Sequence, residues 1–282
     1  MSHYTVTVLL PRQPKDVEDL NCILADLLAP FDENTPVAEP YKDYEDAPAF
    51  DVERNRWNWP YCVAAEDGLT IDPENLRPVA EHLQAKWPEA ASRYQYEEET
   101  NRIYDWTTYN PNSRWDWWVV GGRWTGYMPL KAGAQGITGS TRTGRLLAIC
   151  GSPSWGNPEG AKPGWVDCIR KGDIDEHAVL AEASRQALED HEKIEAKVLN
   201  GEKLLPWDEV MPLDERINAY TKGRLRTYAF LAEGVWREPG KMGWFGMSRS
   251  TPETEDDYVT WWERMWAAMP DDAWLAVIDC HI

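Results

Sequence analysis

The chain has 282 residues, of which 43% are hydrophobic and 17 are tryptophan, a composition that supports a sizeable core and excludes general disorder. It carries 48 acidic against 29 basic side chains, for a net charge of −19 at neutral pH. An electric field of this sign repels nucleic-acid phosphate and anionic lipid, so we expect neither a nucleic-acid polymer nor a membrane as a partner.

The cysteines are scattered, and no two have the C-x₂-C spacing of zinc ribbons and redox motifs. They are Cys22, Cys62, Cys150, Cys168 and Cys280. We expect no signal peptide, and no apolar run approaches the roughly 20 residues that a membrane span needs. Free thiols in a reducing cytoplasm are therefore expected.

The chain opens with a predicted strand at residues 4–10, followed by a helix at 17–28 that ends before Pro30. This βα start is common to ferredoxin-like and other α+β sandwiches. Residues 31–60 are acidic and rich in proline, with little periodicity, and predict a long surface loop. A short strand is predicted at 61–65, and a helix that begins at Asp72-Pro73 and ends near Trp87.

In the rest of the chain, strands at 103–109 and 115–120 predict a hairpin, and glycine-rich loops are expected at about 131–165. A long helix is predicted at 176–199, with Asp173 or Asp175 as its N-cap. Further elements are predicted as a helix at 208–221, strands at 225–233 and 243–247, a helix starting at 251–253 and a strand at 274–281. The economical fold is a single α+β domain over 1–282, with an antiparallel or mixed sheet and helices packed on it.

The most concentrated stretch is 110–127, NPNSRWDWWVVGGRWTGY, in which a predicted strand leads to a Gly-Gly pair. Glycines after a strand mark a bulge, a tight bend or a place where another group approaches the backbone. Aromatic rings can stack on a base or surround a cation, and arginines can bind phosphate through two hydrogen bonds. The candidate ligand-binding residues are Arg114, Trp115, Asp116, Trp117, Trp118, Gly121, Gly122, Arg123 and Trp124.

The same stretch also has a purely structural interpretation. Tryptophans bury large apolar areas and more often belong to the core. Strand alternation sends Asp116 to the face opposite Trp115 and Trp117, where a structural ion pair with Arg114 or Arg123 is an alternative to ligand binding.

A second candidate site is Asp279-Cys280-His281. Residues two apart on a strand face the same side, so Asp279 and His281 are candidate catalytic residues, as an acid–base pair or as part of a metal site with Asp173 or Asp175. Two residues do not make a metal site, and His3 and His82 are isolated in the sequence, so no set of metal ligands is predicted. N-capping is the simpler role for one of the two aspartates near 174.

Sequence motifs spread over nearly the whole chain support a resemblance. They are HYTV at 3–6, LLAPFDEN at 27–34, NPNSRWDWWVVGGRW at 110–124, RKGDID at 170–175, MGWFG at 242–246 and VIDCHI at 277–282. In these the chain resembles a family of uncharacterised proteins from tailed bacteriophages and prophages of actinobacteria. The resemblance implies a cytoplasmic protein of an infected or lysogenic bacterium, and it transfers no role to any residue.

Three functional hypotheses remain open at the level of sequence. The first is an accessory phage protein that binds a small nucleotide-like or anionic ligand, and so counters host immune signalling. The second is a metal-dependent hydrolase, for example a phosphodiesterase, that uses Asp279 and His281. The third is an acidic interaction protein that blocks a host defence protein.

Overall fold

A computed structural model describes residues 2–52, 54–89, 93–139, 162–205, 208–222, 224–243 and 247–282. Contacts divide the chain into two compact units, one of Met1–Asp32 with Asn112–Ile282 and one of Glu33–Pro111. Both units combine helices with β-sheet, and the α+β class predicted from the sequence is confirmed. The expectation of a single domain stays a prediction.

The helices described are α1 Val17–Leu28, α2 Tyr61–Glu66, α3 Arg77–Lys86, α4 Glu176–Leu199, α5 Leu213–Lys222 and α6 Pro252–Ala268. Among them, none has the length and apolar character needed to cross a bilayer.

The strands described are β1 His3–Leu10, β2 Tyr41–Tyr44, β3 Phe50–Asp51, β4 Arg56–Trp57, β5 Gln95–Glu97, β6 Arg102–Thr107, β7 Trp117–Val120, β8 Met128–Pro129, β9 Gly136–Ile137, β10 Trp165–Val166, β11 Cys168–Arg170, β12 Ala229–Ala232, β13 Val235–Arg237 and β14 Trp274–His281.

In the first unit, β14 is the central strand of a mixed sheet in the order β13-β12-β1-β14-β11-β9. β1 pairs antiparallel with β14 over its full length and parallel with β12. The other edge of β14 is shared, because β11 pairs with its first residues and β7 with its last. The sequence between β7 and β11 must therefore leave the sheet and return to the same edge.

Both faces of this sheet are buried, which explains why β14 is apolar at almost every position rather than alternating. On one face, Ala276 and Ile278 belong to a core cluster with Leu20 and Leu24 of α1. On the other, Val277 belongs to a cluster that includes aromatic residues of α6. Helix α1 is capped by Asp16, and α6 begins with a capping box between Thr251 and Thr254, so local capping chemistry fixes both helix starts.

The second unit contains the three-stranded antiparallel sheet β2-β6-β5, the hairpin β3-β4 and the helices α2 and α3. The loop predicted over 31–60 is therefore interrupted by β2, β3 and β4. Residues 61–65 form the helix α2 instead of a strand, because Tyr61 and Ala64, three residues apart, are both buried in the core of this unit. Helix α3 begins at Arg77 with a proline in its first turn, later than predicted.

The predicted hairpin of 103–109 with 115–120 does not form. β6 pairs with β2 and β5 inside the second unit, whereas β7 pairs with β14 in the first. Closeness in sequence predicts strand pairing only about two times in three, and here each strand pairs with a more distant one. Of the loops predicted at 131–165, residues 140–161 lie outside the described residues; the rest includes β9 and the start of β10.

Candidate functional site

The Gly-Gly pair makes a sharp turn directly after β7. Gly121 and Gly122 have φ angles of 71° and 54°, and a 3-10 turn follows at Gly122–Trp124. A Cβ on Gly121 would lie 2.5 Å from an Oδ2 of Asp167, and one on Gly122 would lie 2.4 Å from the Cβ of Asp279. Of the three alternatives that the sequence leaves open for this pair, the structure has a tight bend and a close approach of other groups, and both approaching groups are buried carboxylates.

Asp167 connects the turn to the sheet. Its side chain accepts hydrogen bonds from the backbone N–H of Gly126 at 2.6 Å and of Gly139 at 2.8 Å, while its carbonyl accepts one from Val277. Burial raises the pKa of this carboxyl, and the hydrogen bonds from Gly139 and Gly126 oppose the shift. Asp167 therefore organises the backbone around the turn.

Two histidine–aspartate pairs lie at the end of β14. The Nδ1 of His3 is 2.9 Å from Oδ1 of Asp279, whose Oδ2 accepts a hydrogen bond from the backbone N–H of Arg123 at 3.1 Å. The Nδ1 of His281 is 2.6 Å from Oδ1 of Asp116. His3, which the sequence analysis leaves isolated, is brought here because β1 pairs with β14 in a register that places it opposite His281.

Aromatic packing covers the two histidines of these pairs, whereas the side chain of Asp116 is 33% exposed. The ring of Trp117 stacks on His281 at 4.9 Å with an interplanar angle of 12°, and the two histidine rings are 5.0 Å apart, edge to face. The side chains of His3 and Asp279 are each 2% exposed, and that of His281 is 6% exposed. Asp279 and His281 thus share a face, as their spacing predicts. They do not pair with each other: Asp279 pairs with His3, and His281 pairs with Asp116.

The residues of the hydrolase hypothesis all have structural partners. Its two candidate residues are enclosed and already paired with His3 and Asp116. Asp173 binds Arg170 through two hydrogen bonds, and Asp175 caps α4, as the sequence analysis allows. Within the described ranges, no group of three or more His, Cys, Asp or Glu side chains is placed to hold a metal ion.

Three other predicted ligand-binding residues have structural contacts. Trp115 is buried, and its indole N–H donates to the carbonyl of Leu28 at 3.2 Å. Trp118 packs against the same core cluster, on the face opposite Trp117. Arg114 forms an ion pair with Glu238 at 2.9 Å, and burial raises the pKa of Glu238 while Arg114 opposes that shift.

Trp124, at the end of the turn, lines a cleft of about 480 Å³ in the first unit. The other walls come from β10, α4 and the end of α5. The lining residues that carry rings, charge or an amide are Trp124, Tyr127, Lys162, Trp165, Glu182, Gln186, Tyr220 and Arg224. Its volume lies within the range typical of small-molecule sites.

Glu182 of α4 is the centre of a network of charged and polar side chains at this cleft. The hydrogen bond from Arg185, with those from Lys162 and Gln186, lowers the pKa of Glu182 to about 2. Glu182 is therefore ionised at neutral pH and holds Lys162, whose ammonium lies 5.0 Å from the ring centre of Trp165. Arg224 donates to the carbonyl of Thr221 at 3.1 Å and lies 3.8 Å from a carboxylate oxygen of Glu176.

Of the lining residues, Trp124 is a predicted ligand-binding residue, Tyr127 lies in the same stretch 110–127, and Trp165 is among the tryptophans whose rings could stack on a base; the others were not predicted. The cleft's other walls come from three segments, about 40, 60 and 100 residues further along the chain, and no short motif marks them. Asp167 had a weak signal, as a single acid inside an apolar strand-like run. The comparisons add no relative: no protein-family model, no curated protein and no solved structure matches the chain.

Proposed function

We propose that the protein binds a small, flat, anionic ligand of the nucleotide class in the cleft beside Trp124. The observation that carries this proposal is the meeting of two tryptophans and two tyrosines with Lys162 and Arg224 around one cavity. Stacking of a base on an aromatic ring is worth about 1–3 kcal/mol, and guanidinium binds phosphate with paired, charge-assisted hydrogen bonds. An anionic ligand needs such cations nearby, because the chain as a whole is strongly acidic and would otherwise repel it.

Isothermal titration calorimetry with AMP, GMP, CMP and UMP tests the proposal. We expect at least one to bind, and Arg224→Ala to weaken that binding about tenfold or more, or roughly 1.4 kcal/mol. The matched control is Arg77→Ala, which removes the same charge from an exposed ion pair with Glu98 in the second unit. The proposal fails if no nucleotide binds, or if the two variants lose affinity equally.

The resemblance to phage and prophage proteins supports a biological setting for this binding. In an infected bacterium, a cytoplasmic protein that holds a nucleotide signal would remove it from the host's immune signalling. Lysates of infected cells supply the test: we expect the wild-type protein, but not Arg224→Ala, to lower the free concentration of such a signal, measured by mass spectrometry. Equal concentrations with both proteins would contradict this setting.

A second candidate function rests on the charge of the other unit. Residues 33–111 contain 17 acidic and seven basic side chains, and the rings of Phe50, Trp59 and Trp106 are exposed. Acidic rims with aromatic anchors are typical of protein interfaces, here with a basic host protein. Capture of such a protein from host lysate should weaken in Trp106→Ala and at high salt, and capture unaffected by both changes would exclude this role.

A further inference from the structure

A second, smaller cavity adjoins the proposed ligand site. It measures about 250 Å³, and Val179, Arg224 and Leu225 line both cavities. On its own it is smaller than a typical small-molecule site. As an extension of the first cleft, it has room for one further part of the same ligand.

The second cavity has its own aromatic wall. Trp266 of α6 lines it, and the ring of Trp262 stacks on Trp266 at 5.7 Å with an interplanar angle of 15°. Trp262 is 3% exposed and also lines this cavity, and Trp266 is half-buried. Each of the two cavities therefore offers an indole ring on which a planar group can stack.

Side chains of both charges line the second cavity, and Glu176 lies 3.8 Å from the guanidinium of Arg224 where the two cavities meet. Arg224 lines both cavities, and Lys222 lines the second, which also contains Glu176 and Glu263. The two carboxylates disfavour a terminal phosphate there, but they accept hydrogen bonds from ribose hydroxyls and ring amino groups. An anionic group fits best at the junction, and an uncharged nucleoside fits best in the second cavity.

The backbone at the junction is also unusual. Leu225 has a φ of 58°, in the left-handed region that side chains other than glycine rarely adopt. Strained backbone of this kind is concentrated at ligand-binding positions, where the surrounding contacts hold the residue in its unfavourable conformation.

From these observations we propose that the ligand has two flat ring systems joined by an internal phosphate, as in a dinucleotide. One base stacks in the cleft of Trp124 and Trp165, the bridging phosphate lies at Arg224, and the second nucleoside stacks on Trp266. This inference rests on the proposed function, because it assigns the second half of a ligand whose first half occupies the first cleft.

The test compares each nucleoside monophosphate with its 3′→5′-linked dinucleoside monophosphate (ApA, GpG, CpC and UpU) and with cyclic di-AMP and cyclic di-GMP, by calorimetry on the full chain. We expect the best dinucleotide to bind at least tenfold tighter than its mononucleotide. Ala267→Trp places a ring on an exposed helical position that lines the second cavity, and should remove that advantage while leaving mononucleotide affinity unchanged. Ala268→Trp, at the adjacent exposed position, is the matched control and should behave like wild type.

A second variant, Trp266→Ala, should also reduce dinucleotide affinity to the mononucleotide level; its melting curve reports whether it folds. Equal affinity of wild type for both ligand classes, or equal losses in Ala267→Trp and Ala268→Trp, overturns the two-ring ligand while mononucleotide binding still supports the first cleft. Absence of binding by every probe overturns both proposals.

Discussion

A carboxylate as enclosed as that of Asp279 requires hydrogen-bond donors, and it has them in His3 and in the backbone N–H of Arg123. Because breaking a buried pair leaves an uncompensated charge, we expect His3→Ala to cost about 3 kcal/mol of unfolding free energy in urea denaturation. In the double mutant His3→Ala/Asp279→Ala, the loss of unfolding free energy should be smaller than the sum of the two single losses, because both substitutions remove the same interaction.

The control for this prediction is His82→Ala. His82 pairs with Asp67 at 2.8 Å near the surface, with side chains 27% and 31% exposed, and such pairs contribute less than about 1 kcal/mol. If His3→Ala destabilised the protein no more than His82→Ala, the structural role of the His3–Asp279 pair would be wrong.

Glu45 in the second unit gives a pH dependence. Burial, together with the carboxylates of Asp105, Asp43 and Asp46, raises the pKa of Glu45 to about 7. The folded state therefore holds this proton more tightly than the unfolded chain does, and this group's contribution to stability falls as pH rises from about 4.5 to about 7. At pH 8 we expect Glu45→Gln to raise the unfolding free energy by about 1 kcal/mol and the melting temperature by several degrees. The gain should vanish near pH 4.

Circular dichroism melting curves at several pH values measure this difference. Glu74→Gln, which changes the same charge at an exposed position, should give a much smaller and pH-independent effect. A gain for Glu45→Gln that is constant with pH would contradict the assigned titration.

At the scale of the elements, the Gly121–Gly122 turn connects the sheet to the cleft. Gly122→Ala would place its Cβ against Asp279 in a left-handed conformation, and we expect a loss of more than about 2 kcal/mol in unfolding free energy. Gly133→Ala is the control, because Gly133 has a φ of 82° with no atom within 4 Å of the added Cβ. The difference in unfolding free energy between the two variants measures the cost of the contact between the new Cβ and Asp279. Equal losses would show that backbone strain alone is involved.

Elements with strong local signals were predictable from sequence. The bounds of α4 agree with the prediction, since a capping aspartate and a terminal glycine mark its ends. On α6, Tyr258 and Trp262 are buried in the core cluster that contains Val277, and Trp266 packs against it, as their spacing of four residues indicates. The opening strand and β14 were also predicted, because continuous β-rich runs mark them.

Features that depend on pairing between distant segments were not predictable. The partner of β7 is set by the register with β14, which also brings His3 to Asp279. The cleft is likewise assembled from segments far apart in the chain, each unremarkable alone. Local periodicity determines whether a segment is a helix or strand, but not which other segment it contacts.

At the scale of the whole molecule, charge is distributed unevenly. Residues 33–111, little more than a quarter of the chain, contain 17 of its 48 acidic side chains and only seven of its 29 basic ones. In the first unit, Lys162 and Arg224 line the same cleft as the rings of Trp124 and Trp165. Both cations also have a carboxylate neighbour, Glu182 for Lys162 and Glu176 for Arg224, and they are the charges that our proposal assigns to an anionic ligand.

The most direct test of this account is ¹⁹F NMR of the protein labelled with 5-fluorotryptophan, titrated with the nucleotide that calorimetry finds to bind best. Each resonance is assigned by a Trp→Phe substitution. We predict that the resonances of Trp124 and Trp165 shift on binding, while those of Trp115, in the core, and Trp106, on the second unit, do not. Shifts at Trp117 with none at Trp124 and Trp165 would contradict the account and place the ligand at the histidine–aspartate pairs.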